Sequence, residues 1–436
     1  MKKVLFICYY FPPMGMGGTQ RAAKFVKYLP DFGWEPIVLT VKDVHYYATD
    51  ATLLDDIRGR KIIRTESLDP LRLWAKFKKS ANVSGETTSR SQKISLQKIL
   101  LFINRIVSGW LFIPDARLLW LPFVLWHGVK IIKKEQIEVI FTTSPPHSVH
   151  LAGILLKWLT GAKLIADFRD DWTGGESQLT PTILHRFINR LQEKAVLKTA
   201  DRVIGMCDQL SRSLKRKSGE HFSDEKFLTI TNGFDGDDFS GLLDAPLYEK
   251  FTITHCGSVS RVSDPEPFLR AIRQIFDEQP ELKNKIKIQF FGSDIFGKLG
   301  QLLKMLELQE AIEPLQYLPH RKAIEQMMRS HVLLLTIIKR TDEEVITSKV
   351  FEYLATGKPI LLVTSGGAVA DLIRRTHRGI ITNPNDPTEI KRAILSFYEQ
   401  FEKKKMKFAL PLAMHEFDRK FLAEKLAQLF FSLQKS

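Results

Sequence analysis

The chain has 436 residues, and 64 Lys+Arg against 49 Asp+Glu leave a formal charge of +15. With 44% hydrophobic and 26% charged residues it is neither disordered nor collagenous, and its length suits two domains, each with its own core. Its cysteines, Cys8, Cys207 and Cys256, exclude a disulfide framework and stand too far apart for a zinc ribbon or a redox pair.

Val4 to Cys8 predicts a first buried strand. Although Lys2 and Lys3 precede it, the apolar run is too short for a signal peptide and gives way to aromatics, prolines and glycines with no small-residue cleavage site. The protein is therefore expected in the cytoplasm. Phe11 to Gly18 predicts a Pro/Gly loop and Thr19 an N-cap; Ala22, Ala23, Phe25, Val26 and Leu29 then recur at helical spacing. Gly33 closes that helix before a strand at Pro36–Leu39, giving a βαβ unit.

The segment Leu71–Lys134 departs from this rhythm. Its many Lys and Arg residues meet only Glu86 and Asp115, and aromatics such as Trp110, Trp120 and Trp126 are interleaved with them. Residues 81–95 read as a mobile polar loop within an otherwise helical insertion. Ile99–Trp126 is the longest apolar stretch, but Asn104, Arg105, Asp115 and Arg117 interrupt it, so no clean run of about 18–20 residues remains to cross a bilayer.

Alternation resumes with a strand at Val139–Phe141, a helix from about His147, a strand at Ala162–Ala166, a helix at Leu184–Thr199 and a strand at Arg202–Met206. A second series follows the polar stretch Asp237–Gly241. Strands are expected at Phe251–His255, Ile286–Phe291, Val332–Ile337 and Pro359–Val363, with helices at Pro265–Phe276 and Lys349–Thr356, the latter stopped by Gly357. The predicted class is α/β: Rossmann-like domains at 1–240 and 241–410 whose carboxyl strand edges face one cleft, and a C-terminal helix within 411–436 that returns to the N-terminal domain.

Three places could carry chemistry. Gly15-Met16-Gly17-Gly18 opens a helix as a phosphate or sugar cradle would, yet Gln20 breaks the dinucleotide fingerprint and no Gly-Lys-Ser/Thr follows; a tight turn is an equal reading. Glu344 and Glu352 flank a loop that becomes a helix, with Thr347 or Ser348 as its cap, Glu352 one turn in for a ribose diol and Lys349 for a diphosphate; a solvated charge pair is the plain alternative. Asp170 follows a buried strand and so lies at a carboxyl edge, whereas His147 and His150 read more readily as plain helix-start histidines than as site residues. Asp170-Asp171 suggests a divalent metal, but adjacent side chains point apart.

The run Thr347–Ile360 resembles the nucleotide-sugar element of the retaining family 4 glycosyltransferases (GT-B fold, glycosyl transferase group 1), of bacterial surface-polysaccharide type. So do Tyr10-Phe11-Pro12-Pro13 with Gly17-Gly18, Pro114-Asp115-Ala116-Arg117, Ser144–His150, Asp167–Trp172, Thr231–Asp235 and His255–Ser258, in family order. The resemblance implies a nucleoside-diphosphate sugar donor and a glycan or lipid-linked acceptor, with no essential cofactor or metal. It also implies that Glu344 contacts the donor sugar, Glu352 the ribose and Lys349 the diphosphate, while Gly17 and Gly18 close on the donor. Asp170 and His147 are the further catalytic candidates. Thr347, Ser348, Gly257 and Ser258 join the donor set, with Arg261 in place of the family's usual phosphate-binding cations. A GT-B nucleotide-sugar epimerase or a non-catalytic binding protein are the competing readings. The basic, aromatic insertion suits an anionic membrane surface on the inner face of the cytoplasmic membrane better than nucleic acid, for which no recognition module is present; core helices with an exposed basic face are an equal reading.

Overall fold

The computed structural model describes residues 1–15, 17–42, 50, 53–68, 110–174, 181–219, 222–260, 262–294, 297–312, 317–338 and 346–434. The chain forms two compact units, Met1–Thr231 with Leu422–Ser436, and Asn232–Phe421.

In the first unit the apolar runs become parallel strands, because strands covered by helices on both faces need no polar side. These are β1 (Lys2–Ile7), β2 (Trp34–Val41), β3 (Lys61–Thr65), β4 (Val139–Ser144), β5 (Lys163–Phe168), β6 (Arg202–Gly205) and β7 (Phe227–Thr229), in the order β3-β2-β1-β4-β5-β6-β7. Leu5 pairs with Ile37 on one side and Phe6 with Phe141 on the other. The chain leaves β1 toward β3 and returns on the opposite side at β4, so the order reverses between β1 and β4. A crevice opens there at the carboxyl ends.

The core on one face joins Phe6 and Phe141, 4.5 Å apart, to Phe430 of the C-terminal helix Arg419–Gln434, whose ring lies 5.1 Å from Trp34. One sequence expectation changes here: the first helix spans Gly17–Tyr28, so Thr19 sits in its first turn and is not its cap. Trp120, which read equally as surface or core, is fully buried and donates Nε1–H to Thr65 Oγ1 at 2.7 Å. Most of the basic, aromatic insertion, residues 69–109 with the expected loop 81–95, lies outside the described residues; Leu121–Glu135 is helical.

The second unit carries β8 (Phe251–Cys256), β9 (Ile286–Phe291), β10 (Val332–Ile337), β11 (Ile360–Thr364) and β12 (Gly379–Thr382), all parallel, in the order β12-β11-β10-β8-β9. Helix Glu266–Glu278 buries Phe268, Ile272, Ile275 and Phe276, one face of a 3.6-residue period, in a core shared with Phe251, Ile253 and Leu361. The order reverses between β8 and β10, which pair only at Val332↔Ile253 and Leu333↔Thr254 before they diverge.

Candidate functional site

Where β8 and β10 diverge, backbone groups lose their ladder partners and side chains replace them. Tyr353, from helix Lys349–Ala355, accepts the Cys256 N–H at 2.7 Å and lies 3.3 Å from the carbonyls of both Cys256 and Leu334. This fastens the helix to the switch point. His255 lies 3.1 Å from the Leu334 carbonyl through Nδ1. A carbonyl only accepts, so Nδ1 carries the proton and Nε2 presents a lone pair. That nitrogen is buried with no partner among the described residues, 3.4 Å from where a Cβ on Gly257 would stand. Burial pushes the imidazole down to about 4, so it stays neutral at physiological pH.

One turn into the same helix, Glu352 is 5% exposed. Its Oε1 meets His320 Nε2 at 3.1 Å and its Oε2 accepts from Lys349 Nζ at 3.0 Å; His320 Nδ1 lies 3.8 Å from Asp238. Burial alone would raise the Glu352 carboxyl, but Lys349 and His320 overcome it and hold the group well below the usual carboxylate range. Burial likewise opposes charge on His320 and Lys349, and the Glu352 carboxylate prevails, raising both. The result is a buried anion held by the Lys349 cation and by His320, whose charged form the carboxylate favours, each oxygen retaining a lone pair for a hydroxyl donor.

At the carboxyl edge of the first unit, Arg21 of the first helix forms a two-point pair with Asp167, Nε–Oδ2 3.0 Å and Nη2–Oδ1 2.7 Å, and donates to the carbonyls of Ile230 and Thr231. Asp167 also accepts Thr143 Oγ1–H at 2.7 Å. Arg169 donates to the Ser144 and Pro145 carbonyls at 2.7 and 2.6 Å, and its guanidinium fills the space beside Gly18, where an added Cβ would stand 2.1 Å from Nη1. Only glycine permits that approach. Asp115 caps the helix Ser148–Thr160, accepting Ser148 N–H at 3.1 Å and Ser148 Oγ–H at 2.8 Å.

His147 stacks on Trp172 at 4.8 Å and an interplanar angle of 10°, buried, with Nδ1 unpartnered among the described residues. Burial, with His150 and Arg169 nearby, drives it well below its ordinary value. His150 meets Thr142 Oγ1 at 2.8 Å through Nδ1 and is pushed by burial to about 3. Burial thus keeps both imidazoles neutral and makes them weak bases.

Lys349, Glu352, Gly257 and Ser258 lie about the β8/β10 switch point; Gly18 lies beside Arg169, His147 follows β4, Asp170 follows β5, and Gly17 begins the first helix. Glu344 and Arg261 lie outside the described residues. Ser348 occupies the N-cap position of the Glu352 helix, one of the two residues expected there, but with helical angles and no capping bond from its side chain. Asp171 is structural: it accepts the Thr173 and Gly174 N–H groups and pairs with Lys217. Among the described residues no group of three or more His, Cys, Asp or Glu is placed to hold a metal ion. Sequence reading missed His320 and the acceptor role of His255. The only signal for the first was a histidine directly after Pro319 at a helix start, far from Glu352 along the chain.

Two parallel sheets, each with a ligand-ready switch point, define the GT-B architecture, and residues 246–408 match the family Glycosyl transferases group 1. The second unit therefore carries a group 1 transferase domain, in a chain of GT-B fold. The fold is similar to that of Anabaena Alr3699/HepE solved in complex with UDP (TM-score 0.64, 15% identity, 99% of this chain and 100% of that one). It is also similar to sucrose-phosphate synthase from Thermosynechococcus elongatus (0.64, 15%, 100% of both chains) and to a glycosyltransferase from Rickettsia africae (0.62, 16%, 100% and 99%). Compared with curated proteins, the chain has no sequence match.

Proposed function

We propose that the protein is a retaining transferase that moves a sugar from a nucleoside-diphosphate sugar to a glycan or lipid-linked glycan acceptor in cell-surface polysaccharide biosynthesis, working as a peripheral protein on the inner face of the cytoplasmic membrane. The observation that carries this reading is Glu352 clasped by His320 and Lys349 beside the β8/β10 switch point, within the stretch matched to the transferase family. A buried carboxylate with spare lone pairs suits a ribose diol, and a cation on the same turn suits the diphosphate. The Anabaena neighbour, solved in complex with UDP, supports a nucleotide-linked donor.

In this reading Glu344 contacts the donor sugar, Thr347, Ser348, Gly257, Ser258 and Arg261 complete the donor set, and Gly17 and Gly18 close on the donor. Asp170 and the neutral His147 serve the acceptor. Transfer is front-face: the bond from the anomeric carbon to the diphosphate oxygen breaks, the acceptor oxygen adds to the same face of an oxocarbenium-like sugar, and its proton passes to the departing diphosphate oxygen. The protein supplies position and charge stabilisation.

The test is a panel of UDP-, GDP- and ADP-sugars, read by calorimetric binding and by donor turnover with product stereochemistry. Binding of one nucleotide class and transfer with retained anomeric configuration are expected. No binding of any donor refutes the reading, inversion refutes the retaining mechanism, and an isomerised donor formed without acceptor identifies an epimerase.

A further inference from the structure

The helix Ile183–Thr199 turns opposite chemistries to its two sides. Its inner side serves the β1/β4 edge: Asn189 Oδ1 accepts Trp172 Nε1–H at 2.8 Å, and Trp172 is the ring on which His147 stacks. Its outer side is apolar and uncovered among the described residues. Ile183, Phe187 and Leu191 recur every four residues as one stripe, 52% to 77% exposed, with Leu184 beside it. Trp110 and Leu111 extend the stripe, held there by His185 Nε2, 3.1 Å from the Trp110 carbonyl, and by Gln192 Nε2, which donates to the Ile113 carbonyl at 3.2 Å.

The charges on this helix identify what the stripe fits. Arg186, Arg190, Lys194 and Lys198 are exposed around it, while its one acid, Glu193, is buried and paired with Lys217. Apolar side chains at the centre, cations at the margin and an indole at one end match the interface of an anionic bilayer: rings and aliphatic chains enter the acyl boundary and the cations meet the headgroups. A second copy of this chain, which presents the same cations, would meet like charge with like.

We propose that the outer face of Ile183–Thr199, together with Trp110 and Leu111, is the surface by which the protein lies on an anionic membrane. Docked there, the inner face of the same helix holds His147 and its loop beside the lipid surface, where an acceptor carried on a lipid would emerge. The inference rests on the peripheral transferase reading above and locates its membrane contact on an element other than the basic insertion.

Flotation with vesicles of phosphatidylcholine alone, or mixed with phosphatidylglycerol, tests it. The full chain is expected to partition at least about tenfold more onto the anionic vesicles, less so as salt rises, with a blue shift of tryptophan emission. Phe187→Ser with Leu191→Ser, and separately Arg186→Glu with Arg190→Glu, should each remove about tenfold or more of that partitioning. Circular dichroism and nucleotide affinity should stay at the wild-type level. Equal or absent binding to both vesicles by the wild type overturns the proposal, as does undiminished binding by both variants. A concentration-dependent dimer in sedimentation velocity that both variants abolish also overturns it, assigning the face to a second copy. A wild-type chain that binds nucleotide but shows no preference for the anionic vesicles defeats only this inference; a wild-type chain that binds those vesicles but no nucleotide defeats only the transferase reading.

Discussion

Replacing Glu352 by Gln preserves the shape of the side chain and removes its charge, so it separates the electrostatics of the donor site from its packing. In the wild type both carboxylate oxygens take hydrogen bonds, from His320 at 3.1 Å and Lys349 at 3.0 Å, in a position 5% exposed. A hydrogen bond to a charged acceptor contributes about 1.5–3 kcal/mol, so a diol that donates to this carboxylate should bind about 10- to 150-fold more weakly to Glu352→Gln. The same change acts on His320. Its raised value depends on the Glu352 carboxylate against opposing burial, so the imidazole of the variant should titrate below its wild-type position, with only Asp238, 3.8 Å away, still favouring the charge. The sign for stability follows. His320 contributes fully below the ordinary imidazole value of 6.5 and loses its contribution as pH rises through the raised folded value; Glu352 contributes above the ordinary carboxylate value and loses it as pH falls through its depressed one. Wild-type stability from this cluster is therefore greatest between those two ranges and flattens there in the variant. Calorimetry with the best nucleotide of the panel and histidine-selective NMR titration measure the two effects. A loss of affinity under about threefold together with an unmoved His320 titration would refute the assigned role.

Three further outcomes follow from particular contacts. Asp167→Ala leaves Arg21 buried without its carboxylate, which costs about 3–5 kcal/mol and lowers the melting temperature of that unit by roughly 6–20 °C, whereas Arg21→Met with Asp167→Leu recovers most of it; scanning calorimetry decides, and a shift under about 3 °C contradicts the argument. Gly18→Val drives a side chain into the Arg169 guanidinium and dislodges it from the Ser144 and Pro145 carbonyls, so kcat should fall about 10- to 100-fold with the fold retained by circular dichroism; unchanged kcat would mean that this edge does not set the reaction geometry. His255→Phe keeps a ring but loses the Nε2 lone pair, so nucleotide affinity should drop about tenfold, and wild-type affinity should show no step from this imidazole between about pH 6 and 8 because it titrates near 4; undiminished affinity removes His255 from the site.

The sequence by itself determined the strands and their carboxyl-end loops. A buried parallel strand favours an unbroken apolar run, so Val4–Cys8 and Ile360–Val363 are legible wherever they stand. It also brought Lys349 and Glu352 together, since residues three apart on a helix share a face. Tertiary structure decided the rest. Glu352 meets His320 across 32 residues, Arg21 meets Asp167 across 146, and Trp120 belongs to the core where the composition around it reads equally as surface. Asp115 matched a family motif in the sequence, but its work as the cap of the Ser148 helix, 33 residues away, appears only once β4 is laid beside β1. Periodicity records which side of an element is buried. The partner that covers that side, and the tautomer or charge the partner imposes, depends on strand order, which local sequence does not encode.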